Sequence, residues 1–310
     1  MYFPIIRGKR HDLDAVIAAA PALLRAGNVM PIIEPVRPYW ADIAGIADLG
    51  LPIGLVSNPL SGIYSPPHPR SQRVMVPIPR QATQVYRHAF VRPTLYVTSR
   101  TTTDYVRRYH NRLAGRAHFM FIRSRPQAAG LMERLHATPP AGFLLSVARV
   151  RPQPPRALGI DVSDPYRKRY RNADYPRDEP FSLRLTTIGN DPNFSSFGDY
   201  SIVGRPFKNG AGGNGTNNVA LHLVYSVAGR LSELRIRHYV SGRGALDEMC
   251  REALALLVND LPDVIAHSGL NETPTVRELR AIHAAGGHLS LGEGKAMAIR
   301  HHLELMTVVQ

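Results

Sequence analysis

Two periods of hydrophobic and polar residues alternate along the first half of the chain. Residues 2–6, 29–33, 53–56, 94–97, 118–122 and 143–147 are short apolar runs of the kind that form buried strands. Between them, apolar residues spaced three or four apart predict helices over 12–26, 39–49, 81–90, 103–113 and 127–136. In the first of these, Leu13, Val16, Ile17, Ala20, Leu23 and Leu24 share a face, and Gly27-Asn28 suits the stop. A Pro-rich loop over 61–73 and a short strand over 74–78 interrupt the rhythm, and one more strand is read at 158–160. Repeated βα units with short connections build parallel sheets, and six or seven such units before residue 165 favour a barrel. Neither a GxGxxG after the first strand nor a GxxxxGK[ST] occurs, so the common nucleotide fingerprints are absent.

The rhythm breaks at the Pro-rich stretch 151–155. A basic, turn-rich segment follows over 166–180, then a strand-like run at 182–188, a polar loop at 190–198 and a glycine-rich loop at 210–218. Residues 219–225 and 234–240 alternate around Ala228-Gly229-Arg230 and predict an antiparallel hairpin. Helices are expected over 246–258, 275–284 and 295–306. The expected fold is α/β: a TIM-barrel-like (β/α) barrel with an antiparallel hairpin and C-terminal helices, as one domain over 1–310. Its regular βα units occupy 1–165, the irregular loops, late strands and hairpin 166–245, and the helices 246–310.

Composition narrows the class. An apolar content of 44% with 20% charged residues excludes a wholly disordered chain. The single cysteine, Cys250, excludes an internal disulfide framework and a Cys-rich zinc site, and its helical spacing with Leu246, Leu254 and Leu257 reads as core. No run of about 18 uncharged apolar residues is present. The N-terminal stretch lacks a signal-peptide pattern, so a cytoplasmic protein is the expectation. The net charge is +14, and 34 of the 38 basic residues are Arg. Arg forks fit phosphate bidentately, but an Arg-rich solvated surface is an equally good reading of diffuse charge.

In a barrel, chemistry gathers where strands end. The polar residues there are Arg7 and Lys9, Glu34, Asn58, Ser99 and Arg100, Arg123, Arg149, Asp161 and Asp164, and Asp199. Arg7, Lys9 and Arg123 on one rim suit a phosphate or carboxylate. Glu34, Asp161 and Asp199 suit acid–base work or Mg²⁺ held through oxygen ligands. Arg7, Lys9, Glu34, Asp161 and Asp199 are thus the candidate catalytic cluster, against the alternative that opposite charges pair to order the loops. No serine has a GxSxG context. No HExxH occurs; a metal pair of His222 and His238 across the hairpin competes with half-buried strand histidines bonded to their neighbours, and Arg235 and Arg237 beside His238 oppose a metal, so no metal site is assigned. Tyr166, Arg167, Lys168, Arg169 and Arg171 interleave rings with charge and are the candidate nucleic-acid contact. An exposed turn packing on the body accounts for them equally well.

Seven segments resemble the Beta family of bacterial and phage-satellite proteins, in the same order: YFPIIRGKR (2–10), PIIEP (31–35), RNADYP (171–176), FGDYSIVG (197–204), VALHLVY (219–225), IRHYVS (236–241) and HHLELM (301–306). More narrowly, the chain is similar to a bacterial branch often encoded beside a nuclease-like protein. The resemblance implies a TIM-barrel-like fold and a role in phage defence or a toxin–antitoxin-like module, as an accessory protein with a nuclease-like partner. It carries over no catalytic residues. The broadly apolar last helix is the surface expected to meet either the body of the protein or that partner. The rival expectation is an enzyme acting on a phosphate-bearing substrate, nucleic acid included, at the barrel mouth.

Overall fold

The computed structural model describes residues 1–64, 80–113, 115–124, 126–127, 130–131, 133, 142–146, 159–205, 217–268 and 272–309. The strand expected over 74–78, most of the helix expected over 127–136, Arg149 and most of the glycine-rich loop lie outside them. The chain divides into two compact units. The first comprises 1–13, 30–164 and 188–200; the second comprises 14–29, 165–187 and 201–310.

Unit 1 is built on an eight-stranded parallel sheet. Its strands are β1 (Ile5–Arg7), β2 (Ile32–Glu34), β3 (Ile53–Val56), β4 (Val91–Val97), β5 (Phe119–Ile122), β6 (Gly142–Ser146), β7 (Gly159–Ser163) and β9 (Ser196–Asp199), hydrogen-bonded in that order. The last strand also pairs with the segment leading into the first. Tyr2 and Phe197 form a parallel bridge, and the Phe3 N–H donates to the Phe197 carbonyl at 2.9 Å. Helices α1 (Arg10–Ala26), α2 (Trp40–Asp48), α3 (Arg80–Arg87) and α4 (Thr103–Arg112) lie between strands along the chain, and Thr102 caps α4 by accepting from the Tyr105 N–H at 3.2 Å.

Alternation along the strands separates two cores. Phe3, Ile5, Ile32, Phe119, Phe121 and Ile160 belong to one, and Leu95, Val97, Val106, Met120, Ile122 and Leu131 to the other. The polar stretch 190–198 was expected as a loop, yet its end forms β9, because Phe197 and Gly198 satisfy the backbone of β7 and of residues 1–3. The strand expected at 182–188 is instead the end of β8 (Asp178–Ser182) followed by a helical turn at Arg184–Thr187.

Unit 2 holds a three-stranded antiparallel sheet, in the order β10 (Ala220–Val227), β11 (Arg230–Val240), β8. Its core joins Leu221, Leu223 and Tyr239 to Leu254, Leu257 and Leu261 of α5 (Leu246–Ser268), which runs ten residues beyond the expected 258. Cys250 lies in this core. Helix α6 (Pro274–Ala284) starts with Thr273 as cap and proline at its first turn. Helix α7 (Leu291–Met306) opens with a Ser290–Glu293 capping box. Residues 301–306 are all buried, so within unit 2 the last helix is a packing element. His301 bonds the Val224 carbonyl at 2.7 Å and the Thr273 hydroxyl at 2.9 Å, and His302 packs edge-on to Phe181.

This packing sets the sign of two glycine substitutions and of a pH dependence. A methyl group on Gly198 would collide with the Phe3 carbonyl oxygen, so Gly198→Ala should cost about 1–3 kcal/mol. Nothing lies within 4 Å of a methyl on Gly45 inside α2, so Gly45→Ala should add about 0.5–1 kcal/mol. Urea unfolding of the two variants reads both signs. Burial lowers His301 to about 4 and His302 to about 3, so both rings are neutral in the fold. The unfolded chain binds protons at these rings below about pH 6.5. Stability is therefore full above that pH and falls below it, by up to about 1.4 kcal/mol per pH unit per ring. A lower urea midpoint at pH 5 than at pH 7 is expected; an unchanged one would mean that the folded rings take up protons.

Candidate functional site at the strand ends

The register of the first two strands sets Arg7 beside Glu34, each at the carboxyl end of its strand. Both side chains are buried, at 2% and 0% exposure, and they form a direct ion pair. The same Glu34 oxygen, Oε2, accepts from the Tyr96 hydroxyl at 3.1 Å, and Oε1 accepts from the Leu60 N–H at 2.9 Å. A buried carboxylate needs this many donors to stay charged without water.

Tyr96 is itself held by Asn58. The Asn58 amide donates to the Tyr96 carbonyl at 2.9 Å and accepts from its N–H at 2.8 Å, continuing the β3–β4 ladder past the end of β3. Burial, and then the charge of Glu34, raises the Tyr96 pKa well above its ordinary value, so the phenol is a fixed donor. The guanidinium of Arg7 lies 5.6 Å from the Tyr200 ring centre. The Arg123 guanidinium lies 5.0 Å from the ring of Tyr96 and 5.9 Å from that of Phe121. Burial opposes the Arg123 charge, but Tyr96, Tyr200 and Glu34 outweigh it and hold its pKa above normal. Its Nη1 is buried with no hydrogen-bond partner among the described residues.

The five candidate catalytic residues separate. Arg7 and Glu34 come together. By strand alternation they share the face of Phe3, Ile5 and Ile32. Asp161 falls between Ile160 and Val162 of that core, and so on the opposite face, where it is half-exposed. Asp199 likewise takes the opposite parity from Tyr200; its Oδ1 accepts from the Tyr2 hydroxyl at 2.5 Å. Burial, with the Asp199 charge next, raises the Tyr2 pKa well above normal. Lys9 is half-buried just past β1, its N–H bonded to the Arg7 carbonyl. Tyr96 and Tyr200 were not among the candidates, although the spacings Phe3-x-Ile5-x-Arg7 and Phe119-x-Phe121-x-Arg123 carry the parity that finds this face. Among the described residues, no group of three or more His, Cys, Asp or Glu side chains is placed to hold a metal ion.

The candidate nucleic-acid residues also divide, all within unit 2. Tyr166 is buried, its hydroxyl 2.6 Å from that of Tyr175 and 3.1 Å from His222 Nε2. Arg169 pairs with Glu179 at 2.7 Å, and Arg171 with Asp174 at 3.1 Å. Arg167, Lys168 and Tyr170 point outward, Tyr170 at 93% exposure.

Removing the Glu34 charge leaves Arg7 buried without its counterion. Glu34→Gln should cost about 3–5 kcal/mol, whereas the double change Arg7→Met with Glu34→Leu should recover most of that loss. Urea unfolding of the single and double variants reads the coupling.

No helix among the described residues is long and apolar enough to cross a membrane. The chain matches no family model, no curated protein and no solved structure, so the likeness to the Beta family rests on its seven segments alone.

Proposed function

We propose that unit 1 is a TIM-type barrel whose carboxyl-end mouth binds a phosphate-bearing substrate, with Arg123 as the anion contact. Eight parallel strands in chain order, with the last bridged to the segment before the first, form the arrangement a closed barrel requires. The observation that carries the functional reading is the buried Nη1 of Arg123, which has no partner among the described residues while Arg7 is matched by Glu34. A guanidinium held charged in a desolvated site, with a free N–H, offers an anion a charge-assisted bond. Glu34 is an unsuitable general base, because both of its oxygens already accept hydrogen bonds. Its role is to fix Arg7 and Tyr96.

A role in a defence or toxin–antitoxin-like module with a nuclease-like partner is a second proposal, resting on the family resemblance. Residues 301–306 of the last helix are buried, so such a partner would meet its exposed first turn, around Leu291 and Glu293, or another face.

Inorganic pyrophosphate and simple phosphoesters test the first reading by calorimetric titration. Arg123→Gln should weaken binding by about 10–100-fold, the range for one hydrogen bond to a charged group. Arg123→Lys should restore little, since an ammonium cannot reproduce the fork. Equal affinity in wild type and Arg123→Gln would reject the assignment.

A further inference from the structure

A second polar chain lies in unit 2 and takes in Tyr166 and Arg169 of the basic segment. The hairpin register sets His222 opposite His238, and their Nδ1 atoms are 2.7 Å apart. His238 Nε2 lies 3.2 Å from Glu179 Oε1, and the other Glu179 oxygen takes Arg169 at 2.7 Å. At the opposite end, His222 Nε2 lies 3.1 Å from the Tyr166 hydroxyl, which lies 2.6 Å from that of Tyr175. The Tyr175 oxygen also accepts from the Arg169 N–H at 3.3 Å.

Donor counting fixes the direction of this chain. Burial lowers both histidines, His222 to about 3, so at neutral pH each ring has one donor and one acceptor nitrogen. Glu179 only accepts, so His238 donates from Nε2 and accepts at Nδ1. His222 then donates from Nδ1 and accepts at Nε2 from Tyr166, and Tyr166 accepts from Tyr175. Every bond is satisfied in one sense only, running from Tyr175 to Glu179.

Tyr175 and His238 also line an open cleft of about 510 Å³, with Arg177, Tyr239, Leu256, Asn259 and Asp260. Its one carboxylate, Asp260, is matched by Arg177 at 2.8 Å and Arg237 at 2.7 Å, so the wall favours an uncharged ligand. Its volume is that of a small-molecule site.

We propose that this cleft is a proton-abstracting site for a neutral, hydroxyl-bearing small molecule, with Tyr175 as the base and Tyr166, His222, His238 and Glu179 as its relay. The ligand's proton passes to the Tyr175 oxygen as the Tyr175 proton moves to Tyr166, that of Tyr166 to His222 Nε2, that of His222 Nδ1 to His238 Nδ1, and that of His238 Nε2 to Glu179. The ligand becomes an alkoxide, Glu179 becomes a neutral acid, and every group between them keeps its proton count. Tyr175 is the catalytic residue; the other four act through it.

The relay makes the Tyr175 phenol a nucleophile, which phenylmethanesulfonyl fluoride tests in the intact chain. The phenol oxygen displaces fluoride from sulfur, an S–O bond forms as S–F breaks, and the phenol proton goes to Tyr166. Peptide mass spectrometry follows labelling of Tyr175, with the 93% exposed Tyr170 as internal standard. Tyr175 is expected to label faster than Tyr170. Its rate should fall by about 100-fold in both Glu179→Gln and Tyr166→Phe, the low end of what general-base assistance contributes. Tyr166→Phe cuts the relay without touching a charge, so it keeps the test valid if Glu179→Gln fails to fold, and Glu179→Asp should restore part of the rate. Labelling of Tyr170 but not Tyr175, or an unchanged Tyr175 rate in a folded relay variant, would overturn the proposal.

Discussion

A carboxylate with no exposed surface cannot exist alone, and the carboxyl end of the parallel sheet in unit 1 is organised around that constraint. Arg7, Tyr96 and the Leu60 N–H all point at the Glu34 carboxylate. Each of these donors is fixed in turn by something else. Strand register places Arg7, the Asn58 amide holds the Tyr96 backbone, and the bond from Leu60 ties the chain after β3 to the end of β2. A single acid therefore links β1, β2, the chain after β3 and β4 at the carboxyl end of the sheet.

That coupling leaves the buried Nη1 of Arg123 without a hydrogen-bond partner among the described residues. On the face of Arg7, two guanidiniums and two phenols surround one carboxylate. Glu34 is matched by Arg7 and Tyr96, so Arg123 remains, supported by the π-faces of Tyr96 and Phe121. An aromatic face stabilises a cation without using its N–H donors. Arg123 is thereby kept charged while its Nη1 has no hydrogen-bond partner among the described residues, and the anion site proposed above rests on that atom.

Much of this layout was legible in the sequence, and the part that was not has a definite cause. Strand ends are marked by apolar runs breaking into charge, so Arg7, Glu34 and Arg123 could be placed on the rim. Reading ends alone gives height but not side. Asp161 stands between Ile160 and Val162 and so takes the opposite parity, a distinction visible only when the two-residue period is followed through each strand. Strand β9 was hidden for another reason. It is four residues of Ser-Phe-Gly-Asp, with one large apolar side chain, and it is a strand because neighbours on both sides complete its hydrogen bonds. Intrinsic preference would not put it in a sheet.

The segments that resemble the Beta family sort by this same logic. Tyr2 and Arg7 come from the first, Glu34 from the second, and Asp199 and Tyr200 from FGDY, all in the buried polar contacts of unit 1. Tyr175 of RNADYP, His222 of VALHLVY and His238 of IRHYVS stand in the hydrogen-bond chain of unit 2, and His301 of HHLELM binds Val224 in β10. Apolar core positions tolerate exchange among residues of similar volume. A buried hydrogen-bond chain does not, because each member must supply a donor where its neighbour has a lone pair, and one missing group strands the next.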